Sequence, residues 1–129
     1  MKLNGLFIAA TLFMTTASGC KSKTASELVV NKWHLYQMSG KDAEGIPDSV
    51  KTKMYKEASI EFTNDGKYQT IGMGEGTKNG AYNFSLDGKQ IITTEDGGMP
   101  DSVSIVELRA TKLTVQDSKA DVQVSFKPH

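Results

Sequence analysis

Cys20 is the one cysteine of the chain, and it follows Ala17, Ser18 and Gly19 at the end of an apolar segment. Small residues let a peptidase reach the backbone, and the thiol after them can carry a diacylglycerol. Lys2 supplies a positive start and Leu6 to Met14 an apolar stretch, the layout of a secretory signal. That stretch is too short to cross a bilayer, which takes about 20 apolar residues. The expected chemistry at Cys20 is therefore acylation. Residues 1–19 are then a lipoprotein signal peptide, and 20–27 a lipidated N terminus and flexible polar tether. One acyl chain holds a protein weakly and two or three hold it stably. No aspartate follows Cys20 and no acidic run lies beside it. The expected address is the outer membrane, facing the periplasm, with the membrane itself as partner through the lipid.

Other residues capable of chemistry are few. His34 and His129 are the only histidines. His129 ends the chain and is expected to be mobile. Triad catalysis would have to use His34, which sits in a strand pattern beside Trp33 and reads as a wall residue. Glu61 and Glu107 alternate with apolar neighbours and read as solvent-facing, not as a glycosidase pair. Gly72, Gly74 and Gly76 have no helix pattern after them, so they do not form a phosphate loop. No histidine, cysteine or aspartate spacing matches a metal site. No catalytic residue, metal or cofactor is expected, and the chain does not read as an enzyme.

The elements that would position a site come from composition and pattern. Cleavage before Cys20 leaves about 110 residues, enough for one domain. Basic and acidic side chains balance at 15 each in the whole chain, which gives no electrostatic case for a nucleic-acid partner. With its single cysteine assigned to lipid, the domain has no disulfide and must hold by packing.

From Lys32 onward the pattern has period two. Trp33, Leu35 and Gln37 share one face, opposite His34, Tyr36 and Met38. Ile60 and Phe62, then Tyr68 and Thr70, then Tyr82, Phe84 and Leu86 continue it. Ile91 to Thr94 is β-branched throughout. Val103, Ile105 and Leu108, then Leu113 and Val115, then Val122, Val124 and Phe126 complete about eight strands. Asp65-Gly66 and Asp87-Gly88 are hairpin turn signals, because glycine accepts positive φ. One segment differs. Asp48 to Glu57 suits either a short helix, with Asp48 as cap and Val50 and Met54 on one face, or an irregular long loop. Gly45-Ile46-Pro47-Asp48-Ser49-Val50 is echoed by Gly98-Met99-Pro100-Asp101-Ser102-Val103. Both copies read as a reused turn that suits the start of an element, and a shared ligand or ion site at Asp48 and Asp101 is the sharper alternative.

These pieces, in this order, resemble the small lipocalin-like domains of Gram-negative bacterial lipoproteins. The residues that carry the likeness are Val30 to Leu35 on the first strand, Ile60 to Tyr68 across a hairpin, Gly80-Ala81-Tyr82, Ile105 to Val115, and Val124 to Lys127. The resemblance implies an all-β fold over 28–129: a small antiparallel up-and-down barrel of about eight strands, to which the 48–57 segment would add one short helix after the first strand. It implies fold more than activity. Lipocalins usually place glycine two residues before the first-strand tryptophan; Asn31 stands here. They often pack a late arginine on that tryptophan. Arg109 is the only arginine, and the last strand offers Lys127, which suits a cation–π contact with the indole. The Arg-x-Tyr clamp that fatty-acid carriers use for a carboxylate is absent from the last strand.

The aromatic set is Trp33, Phe62, Tyr68, Tyr82 and Phe84. It reads either as packed core or as the lining of a ligand site. Eight strands enclose room for side chains or for one small ligand. The short chain and bulky inward residues lean toward a filled interior. Two functions follow. One is a membrane-anchored module binding a small apolar or amphipathic molecule in the cell envelope, favoured narrowly. The other is a filled barrel acting as an interaction or accessory subunit of an envelope complex.

Overall fold

The computed structural model describes residues 23–73 and 76–129. Cys20, the signal segment and the start of the tether lie outside the described residues. Chain order is α1 (Ala25–Val29), β1 (Asn31–Ser39), α2 (Lys41–Glu44), α3 (Asp48–Glu57), β2 (Ser59–Phe62), β3 (Lys67–Ile71), β4 (Lys78–Phe84), β5 (Gln90–Glu95), β6 (Pro100–Arg109), β7 (Lys112–Asp117) and β8 (Gln123–Pro128). The eight strands form a closed antiparallel barrel in sequence order, with β8 paired to β1. This is the expected up-and-down architecture. Gly66 and Gly88 take φ of 84° and 74° in the two Asp-Gly turns, as the hairpins require.

Period two carries the inner face. Trp33, Leu35, Ile91, Leu113 and Phe126 are all nearly inaccessible to solvent. Two bulges interrupt the alternation. Ser125 pairs with Gln37 and Phe126 with Leu35, so Tyr36 is an extra residue on β1. The phase then reverses: Met38 is buried and Gln37 is exposed, the opposite of the simple alternation. Val106 is the extra residue on β6, between Ile105 and Glu107. A bulge adds a residue to one strand only and bends it.

One end of the barrel is closed by α1. Thr24 and Glu27 make a reciprocal capping box that starts the helix. Residues 25–27, expected in the tether, are therefore part of the folded domain. Val29 is fully buried, and its carbonyl accepts a hydrogen bond from Trp33 Nε1 at 2.8 Å. The helix packs on β6, so it crosses the barrel end from β1. The expected contact between Lys127 and the indole does not form. Pro128 stands opposite Trp33 in the ladder, and Lys127 faces outward, its Nζ 5.6 Å from the Tyr36 ring centre. Arg109 instead pairs with Glu107 at 2.6 Å.

The other end is dressed by α2 and α3. Helix α3 has the expected bounds, although Pro47 is its cap and Asp48 its first residue. Strand β2 pairs only with Asn31 to His34 of β1. Beyond that, α3 packs against β1 and stands in for a strand. Tyr55 Oη there accepts from the Met38 N–H at 3.2 Å, satisfying a backbone donor that no strand reaches. The echoed hexapeptide begins different elements: Pro47-Asp48 opens α3, whereas Pro100-Asp101 opens β6.

His129 is not loose. Its N–H donates to the Lys32 carbonyl at 3.0 Å and its ring stacks on His34 at 5.2 Å. The His34 ring lies opposite the inner face, and its Nδ1 is buried with no hydrogen-bond partner among the described residues.

Candidate ligand cavity

The barrel interior is not filled, contrary to the expectation from chain length. It holds a cavity of about 420 Å³ that opens at the end away from α1. Ligand sites commonly measure roughly 300–1,000 Å³. The lower wall is apolar, with Phe62, Ile91, Val103, Leu113, Val124 and Phe126. They are inward residues of β2, β5, β6, β7 and β8, the last giving both Val124 and Phe126, while β4 gives little at this level. Gly80 is the reason on β4. A Cβ there would stand 2.2 Å from the Thr94 carbonyl oxygen and 2.7 Å from Tyr68 Cε1. Only glycine lets the Tyr68 ring lie across that strand.

The five aromatic residues named from the sequence divide into two groups. Phe62 and Tyr68 line the cavity. Trp33, Tyr82 and Phe84 do not, and belong to the floor. Phe62 and Tyr82 meet edge to face at 4.8 Å, and Tyr82 meets Phe84 at 6.3 Å. Such pairs contribute roughly 0.5–1.5 kcal/mol beyond their buried area. Tyr82 Oη donates to the Thr63 carbonyl at 2.8 Å, which ties the floor to the β2–β3 turn.

The mouth is polar. Glu95 on β5, Asp101 on β6 and Asp117 on β7 bring three carboxylates to the inner face of three successive strands, with Lys78 on β4 beside them. Tyr68 lies below, more than nine-tenths buried, with Thr93 against its phenol. Burial raises the Tyr68 phenol above its ordinary pKa, and the Glu95 charge raises it further. The floor phenol of Tyr82 is raised as well, again chiefly by burial. Both therefore stay neutral hydrogen-bonding groups at neutral pH.

Of the mouth carboxylates the sequence points only to Asp101, through the echoed hexapeptide, yet a signal for all three exists. Glu95 continues the phase of Ile91 and Thr93; Asp101 shares the phase of Val103; Asp117 continues that of Leu113 and Val115. An acid that extends the inward phase of a strand points into the barrel, not away from it. Glu61 is exposed, and Glu107 is held by Arg109 and by Lys112 at 3.3 Å. Neither reaches the cavity. Among the described residues no group of three His, Cys, Asp or Glu side chains is placed to hold a metal ion.

A closed eight-stranded barrel with a helix across one end and a cavity open at the other defines the lipocalin-like class. The family model of the lipocalin-like domain matches residues 29–115, more than half the chain, and this protein belongs to that family. Two solved structures share its fold. One is the crystal structure of a DUF4847-family protein from Bacteroides vulgatus, with 15% identity and a TM-score of 0.51, covering 78% of this chain and 93% of that one. The other is the NMR structure of a protein from Bacteroides uniformis, with 16% identity and a TM-score of 0.51, covering 81% and 91%. No curated protein matches the chain.

Proposed function

We propose that this protein is a membrane-anchored binding module of the cell envelope that holds a small apolar or amphipathic molecule inside its barrel. The cavity of about 420 Å³ carries the reading. Its wall is apolar, its mouth polar, and its size fits one small ligand. The reading is of binding, in keeping with His34, the one strand histidine, which lies on the side of β1 away from the cavity. Native mass spectrometry of the purified protein tests the reading. Release of a co-purifying small molecule, or retention of an added neutral fluorescent probe, is the expected result. Protein that carries nothing and retains no probe would sink it.

The anchor rests on the Ala17-Ser18-Gly19-Cys20 order. Acylation there would place the protein at the outer membrane on the periplasmic side. Growth with labelled palmitate should label the protein, and Cys20→Ala should abolish the label. Equal labelling of the two would overturn the assignment. The competing reading, an accessory subunit of an envelope complex, draws on the exposed Leu86 and Met99. Those two lie at opposite ends of the barrel and make no common face.

A further inference from the structure

The charge at the cavity mouth narrows the ligand class. Below the mouth the wall is hydrocarbon, which selects an apolar body. At the mouth, three carboxylates face one ammonium among the lining residues. Two of the three are already held in place. Asp117 Oδ1 accepts from the backbone N–H groups of Lys119 and Ala120 at 2.6 and 3.2 Å. Asp101 Oδ1 accepts from the Ser102 N–H at 2.9 Å and lies 3.9 Å from the exposed Lys119 Nζ. Glu95 makes no side-chain hydrogen bond or ion pair among the described residues. It stands beside Tyr68, a polar side chain more than nine-tenths buried and turned into the cavity. Apart from Thr93, no group of the described residues hydrogen-bonds to that phenol oxygen.

Resting on the reading of the barrel as a ligand carrier, we infer that its ligand is a cationic amphiphile: an apolar body in the barrel and a protonated amine at the mouth. Glu95 and Asp101 take the ammonium. The Tyr68 hydroxyl supplies an acceptor just below, and an ammonium has three donors to place. An anionic head meets repulsion from the three carboxylates and finds, among the described residues, Lys78 on the wall and Lys119, which already lies beside Asp101. The site therefore discriminates by head-group charge, through attraction for one sign and repulsion of the other.

The test uses the full chain carrying Cys20→Ala, so that no lipid of its own can enter the barrel. The cavity is loaded with the neutral probe N-phenyl-1-naphthylamine, which is then displaced by decylammonium, decanol or decanoate. The three share a tail and differ in head charge. Decylammonium should displace the probe at about tenfold lower concentration than decanol, the factor one charge-assisted hydrogen bond provides. Decanoate should be weaker than decanol. Added salt should narrow both gaps. In the double variant Glu95→Gln with Asp101→Asn, the decylammonium-to-decanol ratio should fall to about one. If that variant does not fold, Glu95→Gln alone and the salt titration of the parent carry the same test. Equal displacement by decylammonium and decanol, or tighter binding of decanoate, overturns the head-group inference while leaving the carrier reading intact. Failure of the probe and of all three compounds to bind overturns both.

Discussion

Trp33→Ala should lower the unfolding free energy by about 3–5 kcal/mol, as expected for removing a buried aromatic from a core. Two losses combine. The indole is fully buried at the foot of the barrel, so its removal opens a void that the closed ladder around it cannot collapse. The Val29 carbonyl also loses the Nε1–H that pins α1 across the barrel end. Trp33→Phe separates the two. It keeps most of the ring and leaves the carbonyl unpaired, which should cost about 1–3 kcal/mol. Urea melts followed by far-UV circular dichroism measure both variants, since the only tryptophan can no longer report by fluorescence. A Trp33→Ala midpoint close to that of the parent would mean that α1 and the indole do not close the barrel.

Val103→Phe combined with Val124→Phe should lower affinity for a neutral apolar probe at least about tenfold while leaving stability nearly unchanged. Both valines line the cavity and are only half-buried. Two rings added to empty space gain contacts. Two rings added to a packed core would cost roughly 1–3 kcal/mol each in strain. The sign of the stability change therefore tells a hollow barrel from a filled one, independently of any ligand. A large destabilisation would mean that the interior is packed in solution. Probe titrations and urea melts on the same preparations give both readouts.

Much of the architecture was readable from local pattern. Period-two alternation located the strands and Asp-Gly pairs located two turns, while the Asp48–Glu57 segment suited a loop as well as the helix it forms. What escaped did so for definite physical reasons. The extra residues at Tyr36 and Val106 have no local signature, because a bulge exists only relative to its partner strand. Helix α1 has five residues, too few for a periodic pattern, so only the Thr24–Glu27 capping box marked it. The split of the aromatic set came from strand tilt. Phe62 and Tyr82 have similar sequence contexts, yet the stagger around the closed barrel puts one on the cavity wall and the other in the floor. The mouth acids lie on separate strands, and only the pairing register of β5, β6 and β7 makes them neighbours. The cavity itself is a difference between two volumes, that of the barrel and that of its side chains, and no single segment encodes it.

The floor carries one further consequence, for how the molecule can be handled. Thr24, before α1, and His129, bonded to Lys32 after β8, both sit at the closed end. Both ends of the described barrel thus share one pole, and the opening occupies the other. An affinity tag, a fluorescent-protein fusion or a biosensor surface attached after His129 should leave the aperture facing solution. Two barrels joined tail to head would display their openings outward, without one stoppering the other.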